Sequence, residues 1–142
     1  MLNRDWKIVA WCACLFLAAC SAPADIGSAS AAGKKFHDHF NQQDFAAIYN
    51  EADPKFRATV KQDELTALLS GVYHEFGNVT DTTRTGLNVN YKFGGSTITM
   101  TYSTKFQLGE AQEEFIWLKS GDTLRLLNYN IKYRALNNSN VQ

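Results

Sequence analysis

The apolar period of this chain changes once, at Gly77, and that change limits the fold more than any other feature. Before it, hydrophobic residues recur at helical spacing. After it, they alternate. Phe36 and Phe40 share one helical face. Asn41-Gln42-Gln43 interrupts, and Asp44 is placed to cap a turn with Phe45, Ile48, Tyr49 and Ala52 on its inner side. Asp53-Pro54 reads as a second cap followed by proline at the first helical position, with Phe56 as its apolar contact. Thr59 and Gln62 fit a capping box ahead of the clearest helix. Its stripe runs through Leu65, Leu68, Leu69, Val72, Tyr73 and Phe76, and Gly77 is suited to end it.

The second half reads as antiparallel strands. Residues 78–85 are rich in threonine and resemble an edge strand. Leu87, Val89, Tyr91 and Phe93 alternate with polar residues up to a turn at Gly94-Gly95-Ser96. Ile98, Met100, Tyr102 and Phe106 follow, with a turn at Gly109-Glu110. Residues 115–119 and 124–133 pair around Ser120-Gly121-Asp122. The expected class is α+β, with N-terminal helices packed on an antiparallel sheet of four to five strands. The domain is expected over residues 34–135, with a polar tail at 136–142.

The start of the chain has a different purpose. Arg4 and Lys7 precede an uncharged apolar run of about 12 residues, the size of a signal-peptide core and short of the about 20 that span a bilayer. The run ends in Leu17-Ala18-Ala19-Cys20, which resembles the bacterial lipobox at all four positions. The resemblance implies cleavage after Ala19, a diacylglyceryl thioether on Cys20 and acylation of its new amino group. Residues 1–19 are therefore read as the signal peptide. In the enteric-type sorting rule, Ser21 rather than aspartate leans toward the outer membrane. Residues 20–33 are small, polar and nearly uncharged, and read as the lipidated end and a flexible linker, although the alanine-rich part from Ser28 could open the first helix.

Cys12 and Cys14 leave with the signal, so the mature chain has no disulfide framework. Losing Arg4, Lys7 and Asp5 leaves 12 basic and 13 acidic residues, a formal charge of −1. That balance argues against nucleic acid as a partner and against electrostatic docking on anionic headgroups.

The order of helices then meander also resembles the cone-shaped fold of the nuclear transport factor 2 and ketosteroid isomerase superfamily. Small lipoprotein families with that fold are similar at residues 40–49, at the helix ending in Phe76-Gly77, and across residues 115–131, where the Gly121 turn leads into Leu124-Arg125-Leu126 and Tyr129. The resemblance implies a curved sheet closed by helices, with a pocket in its mouth and a tendency to homodimerise. It brings no catalytic signature.

An isomerase-like site would need a buried acid facing hydroxyl donors. Glu113 shares its strand face with Phe115 and Trp117 and is the acid best placed to point inward, although a strand end reaching solvent is the more ordinary reading; Tyr102 and Trp117 are further candidate pocket residues. Tyr91, Tyr129 and Tyr133 are further donors of the same kind. His37 and His39 stand about 200° apart on a helix and cannot share a metal there. His37 and Asp38 are expected in solvent, and no metal or other cofactor is called for. The expected function is a membrane-anchored, non-enzymatic module binding an envelope protein or a small apolar ligand. An isomerase or lyase of the ketosteroid isomerase type, or a structural envelope subunit dimerising through Thr97, Thr99 and Thr101, are the alternatives.

Overall fold

A computed structural model describes residues 21–133, with side-chain surroundings given from Asp25 onward. The segments read above as signal peptide, lipobox with Cys20 and 136–142 tail lie outside the described residues. Four helices come first: α1 (Ser21–Asn41), α2 (Phe45–Glu51), α3 (Pro54–Thr59) and α4 (Gln62–Phe76). Four strands follow: β1 (Val79–Lys92), β2 (Gly95–Phe106), β3 (Gly109–Ser120) and β4 (Thr123–Tyr133), antiparallel and in chain order. The fold is α+β, a curved and unclosed four-stranded sheet with the helices against one face.

The linker reading of residues 21–33 is the largest correction. They form the first half of α1, a helix of 21 residues. Pro23 stands in the first turn, where a missing N–H breaks no intrahelical bond. Ile26, Ala29, Ala32, Phe36 and Phe40 make one stripe down the helix onto the core, and Ala29 has no exposed surface. Asp25 is paired with Lys119 of β3 at 3.1 Å. The small residues that suggest a linker are what lets this helix lie close to the sheet. Ala29→Leu is therefore expected to cost about 1–3 kcal/mol by overpacking. A free linker would accept the leucine without change, and urea unfolding separates the two.

Local rules account for the short helices. The carboxylate of Asp44 accepts from Ala47 N at 3.1 Å, and that of Asp53 accepts from Lys55 N at 2.9 Å ahead of Pro54. The backbone N–H of Asp53 donates to Leu126 O at 2.8 Å, tying α3 to β4. Gly77 ends α4 at φ 75°, a left-handed value that suits glycine. Only the return half of a capping box forms, two residues later than Thr59 suggests: Lys61 is the N-cap, its ammonium has nothing to accept with, and Glu64 accepts from its backbone N–H at 3.1 Å. Thr59 instead closes α3, donating its hydroxyl to Phe56 O. Leu65, Leu69, Val72 and Phe76 are buried, whereas Leu68 is 41% exposed, because the helix turns only one face to the core.

Residues 79–92 form one strand rather than two. β1 is 14 residues long, with register shifts between Val79 and Asp81 and between Arg84 and Gly86. Its alternation predicts a buried face, yet Leu87, Tyr91 and Phe93 are exposed. β1 is an outer strand, paired with β2 alone, and its half at residues 87–92 lies beyond the part that α1 faces across the cleft at residues 79–84. The tight turns fall at Phe93-Gly94, Gln107-Leu108 and Gly121-Asp122. Gly109 lies in β3 rather than the turn, and a Cβ there would come within 2.7 Å of the Phe76 ring.

Candidate functional site

β2, β3 and β4 turn Thr104, Glu113, Phe115 and Tyr129 onto the face that α1 covers, because alternate residues of a strand share a side. Glu113 is 2% exposed and Glu114 is half-buried on the opposite face. The Glu113 carboxylate is bound from three elements. His37 of α1 approaches with Nε2 at 2.7 Å from Oε2, Thr104 donates its hydroxyl to the same oxygen at 2.5 Å, and Tyr129 donates to Oε1 at 2.5 Å. Phe36, Phe115 and Tyr129 pack ring to ring around this group, with centroids 4.8–5.1 Å apart.

Burial alone would push the Glu113 carboxyl up. The His37 hydrogen bond, the attraction of His37 and the Thr104 and Tyr129 hydroxyls outweigh it and hold the group below its ordinary 4.5. The carboxylate is therefore ionised, and His37 Nε2 carries the hydrogen that faces it. Burial, then the Glu113 charge, push the Tyr129 phenol well above 10.0. A carboxylate held this way is a fixed anion, and a poor proton acceptor.

The candidate pocket residues do not meet in one pocket. Glu113 points inward rather than to solvent, but it lines neither the cleft nor the smaller cavity beside α1. Tyr102 is buried, directs its hydroxyl to Met100 Sδ at 3.2 Å and touches an open cleft of about 480 Å³ between α1 and β1. Trp117 faces a second cavity of about 160 Å³ on the other flank of α1. There its indole N–H finds no acceptor, and His39 lacks a hydrogen-bond partner at either ring nitrogen, with Glu51 Oε1 3.6 Å away. Tyr91 and Tyr133 are exposed. His37 is the residue that sequence reasoning misplaced. It is 8% exposed, not in solvent, and it stands between Glu113 and the cleft wall. Asp38 is exposed as expected, paired with Lys34 at 2.9 Å. Among the described residues no group of three His, Cys, Asp or Glu side chains could hold a metal ion.

The cleft follows an open sheet edge. β1 pairs only with β2, so its other side is free. At Val79 the Asn41 amide replaces a neighbouring strand, accepting from Val79 N at 2.8 Å and donating to Val79 O at 3.1 Å. Beyond Val79 that edge has no backbone partner among the described residues. Thr80, Thr82 and Arg84 line the cleft from β1, opposite Lys34, His37 and Asp38 of α1. Fold and site together define an α+β domain with a sealed carboxylate hub and an edge-strand cleft. No protein-family model matches the chain, and no curated protein matches it.

Proposed function

We propose that this chain is a lipid-anchored, extracytoplasmic lipoprotein whose domain binds an extended segment of an envelope protein and catalyses no reaction. The free edge of β1 inside the α1–β1 cleft carries this reading. A peptide laid along that edge would satisfy strand N–H and C=O groups, and Arg84, Lys34 and Asp38 would read its side chains. The sealed hub serves the cleft indirectly: His37, bound to Glu113, fixes α1 as one wall. An isomerase-type base gains no support, since Glu113 lies behind His37 with three donors on it. The carboxylates that reach the cleft, Asp38 and Asp81, lie on its exposed, charged walls. The superfamily likeness and an outer-membrane location belong to the same proposal.

Peptides selected from a random library on the vesicle-bound protein test it. They are expected to slow amide exchange at residues 80–85. Protection confined to another face would defeat the reading. A ligand that instead changes the emission of Trp117, the single tryptophan after residue 19, would place binding in the smaller cavity.

A further inference from the structure

The direction of α1 relates the lipid site to one end of the sheet. Asp25 meets Lys119, Ser30 meets Met100, His37 meets Glu113, and Asn41 meets Val79. The helix thus starts beside the Phe93-Gly94 and Gly121-Asp122 turns and ends beside the Gln107-Leu108 turn. Lys119 is opposite Ser96 in the β2–β3 ladder, one residue past Gly95, and Gly95 is opposite Lys92 in the β1–β2 ladder. Ser21 lies about 6 Å beyond Asp25 along the axis, at 1.5 Å per residue. Cys20 is the next residue.

The β1–β2 hairpin tip at that end is apolar and uncovered. Phe93 is fully exposed and Tyr91 is 64% exposed, with Lys92 between them. An aromatic pair beside a lysine is the composition that settles at the boundary of headgroups and acyl chains. From these positions we infer that the Phe93 tip inserts into the interface of the bilayer that holds the Cys20 lipid, as a second, non-covalent foot. This rests on the lipid-anchor reading above. With helix starting at Ser21, little free chain separates lipid from domain, so the tip is held at the surface. A formal charge of −1 makes the contact apolar in origin, not electrostatic. The two feet fix the domain's orientation and turn the Gln107-Leu108 end away from the membrane.

The test uses the full chain, processed in cells and reconstituted in phosphatidylethanolamine–phosphatidylglycerol vesicles containing lipids brominated near the headgroup. Phe93→Trp is compared with Leu108→Trp, an exposed residue at the opposite end. Both sites are on the surface, so neither substitution reaches the core. Bromolipid is expected to remove most of the emission added by Phe93→Trp and none of that added by Leu108→Trp, over the Trp117 background of the unsubstituted chain. If intact mass shows the lipid and neither site is quenched, the second foot is overturned while the anchor stands. Blue-shifted emission at residue 93 without bromolipid quenching would mean that a protein, or a second copy, covers the tip, and would equally overturn it. If intact mass shows no lipid, the anchor reading itself has failed, and the inference falls with it.

Discussion

Glu113→Ala is expected to destabilise the domain by about 3–5 kcal/mol, the cost of removing one partner from a buried charged network. The carboxylate is the common acceptor for His37, Thr104 and Tyr129, which come from α1, β2 and β4. Without it, a buried ring and two hydroxyls lose their partner together, and a cavity opens beneath Phe115. Against a total stability of about 5–15 kcal/mol this is a large fraction. Urea unfolding should show a lower midpoint with an unchanged slope. A cost below about 1 kcal/mol would mean that water enters and replaces the carboxylate. Glu113→Ala and His37→Ala combined should cost less than the sum of the single changes, because they break one network.

The same hub sets the pH profile. The folded Glu113 pKa is depressed, so its stabilisation is fully present above the ordinary carboxylate value of 4.5 and is lost as pH falls through the folded value. Tyr129 works in the opposite sense. Its folded pKa is raised, so its contribution is complete below 10.0 and fades as pH rises toward the folded value. The unsubstituted chain should therefore lose stability at both extremes, with the acid limb flattened in Glu113→Gln.

The face that Glu113 shares with Phe115 and Trp117 was legible because strand alternation sets it whatever the rest of the fold does; that α1 covers this face at residue 113 was not. Asp44, Asp53-Pro54 and Gly77 were legible because caps act locally. His37 was not, and the reason is angular. With Phe36 and Phe40 as the only markers, His37 lies about 80° from the centre of the stripe, at 100° per residue. Ile26, Ala29 and Ala32 extend the stripe without moving its centre, so His37 stays at the margin, and what draws it under cover is the Glu113 carboxylate of β3, which helical periodicity cannot report. Reading residues 21–33 as linker cost the first half of α1, and the histidine was missed separately, through a partner on another element. The exposure of β1 escaped for a different reason. Alternation reports which residues share a face, not whether a helix covers it: β4 is equally an outer strand and buries Leu126 and Tyr129, whereas Leu87 and Tyr91 of β1 are left uncovered.

On the lipoprotein reading proposed above, Cys20→Ala is expected to have the largest effect of any single change, because it would remove the acyl anchor entirely. Intact mass of membrane-extracted protein should show the unsubstituted chain without residues 1–19 and with added lipid mass. The alanine variant should keep residues 1–19 and gain no lipid. Each buried methylene contributes about 0.8 kcal/mol, so a diacylglyceryl group with a further N-acyl chain holds the protein essentially permanently, where one chain holds it marginally. Phe93 and Tyr91 cannot replace that. Burying one aromatic side chain is worth about 1.5–3 kcal/mol, which orients a tethered domain but leaves an untethered one mostly in solution. An unsubstituted chain that proves to be unlipidated and cut at another bond would be an ordinary secreted protein. The helix from Ser21 would then project into water, the hairpin tip would need a protein to cover it, and the β1 cleft would have to find its partner without the advantage of sharing a surface with it.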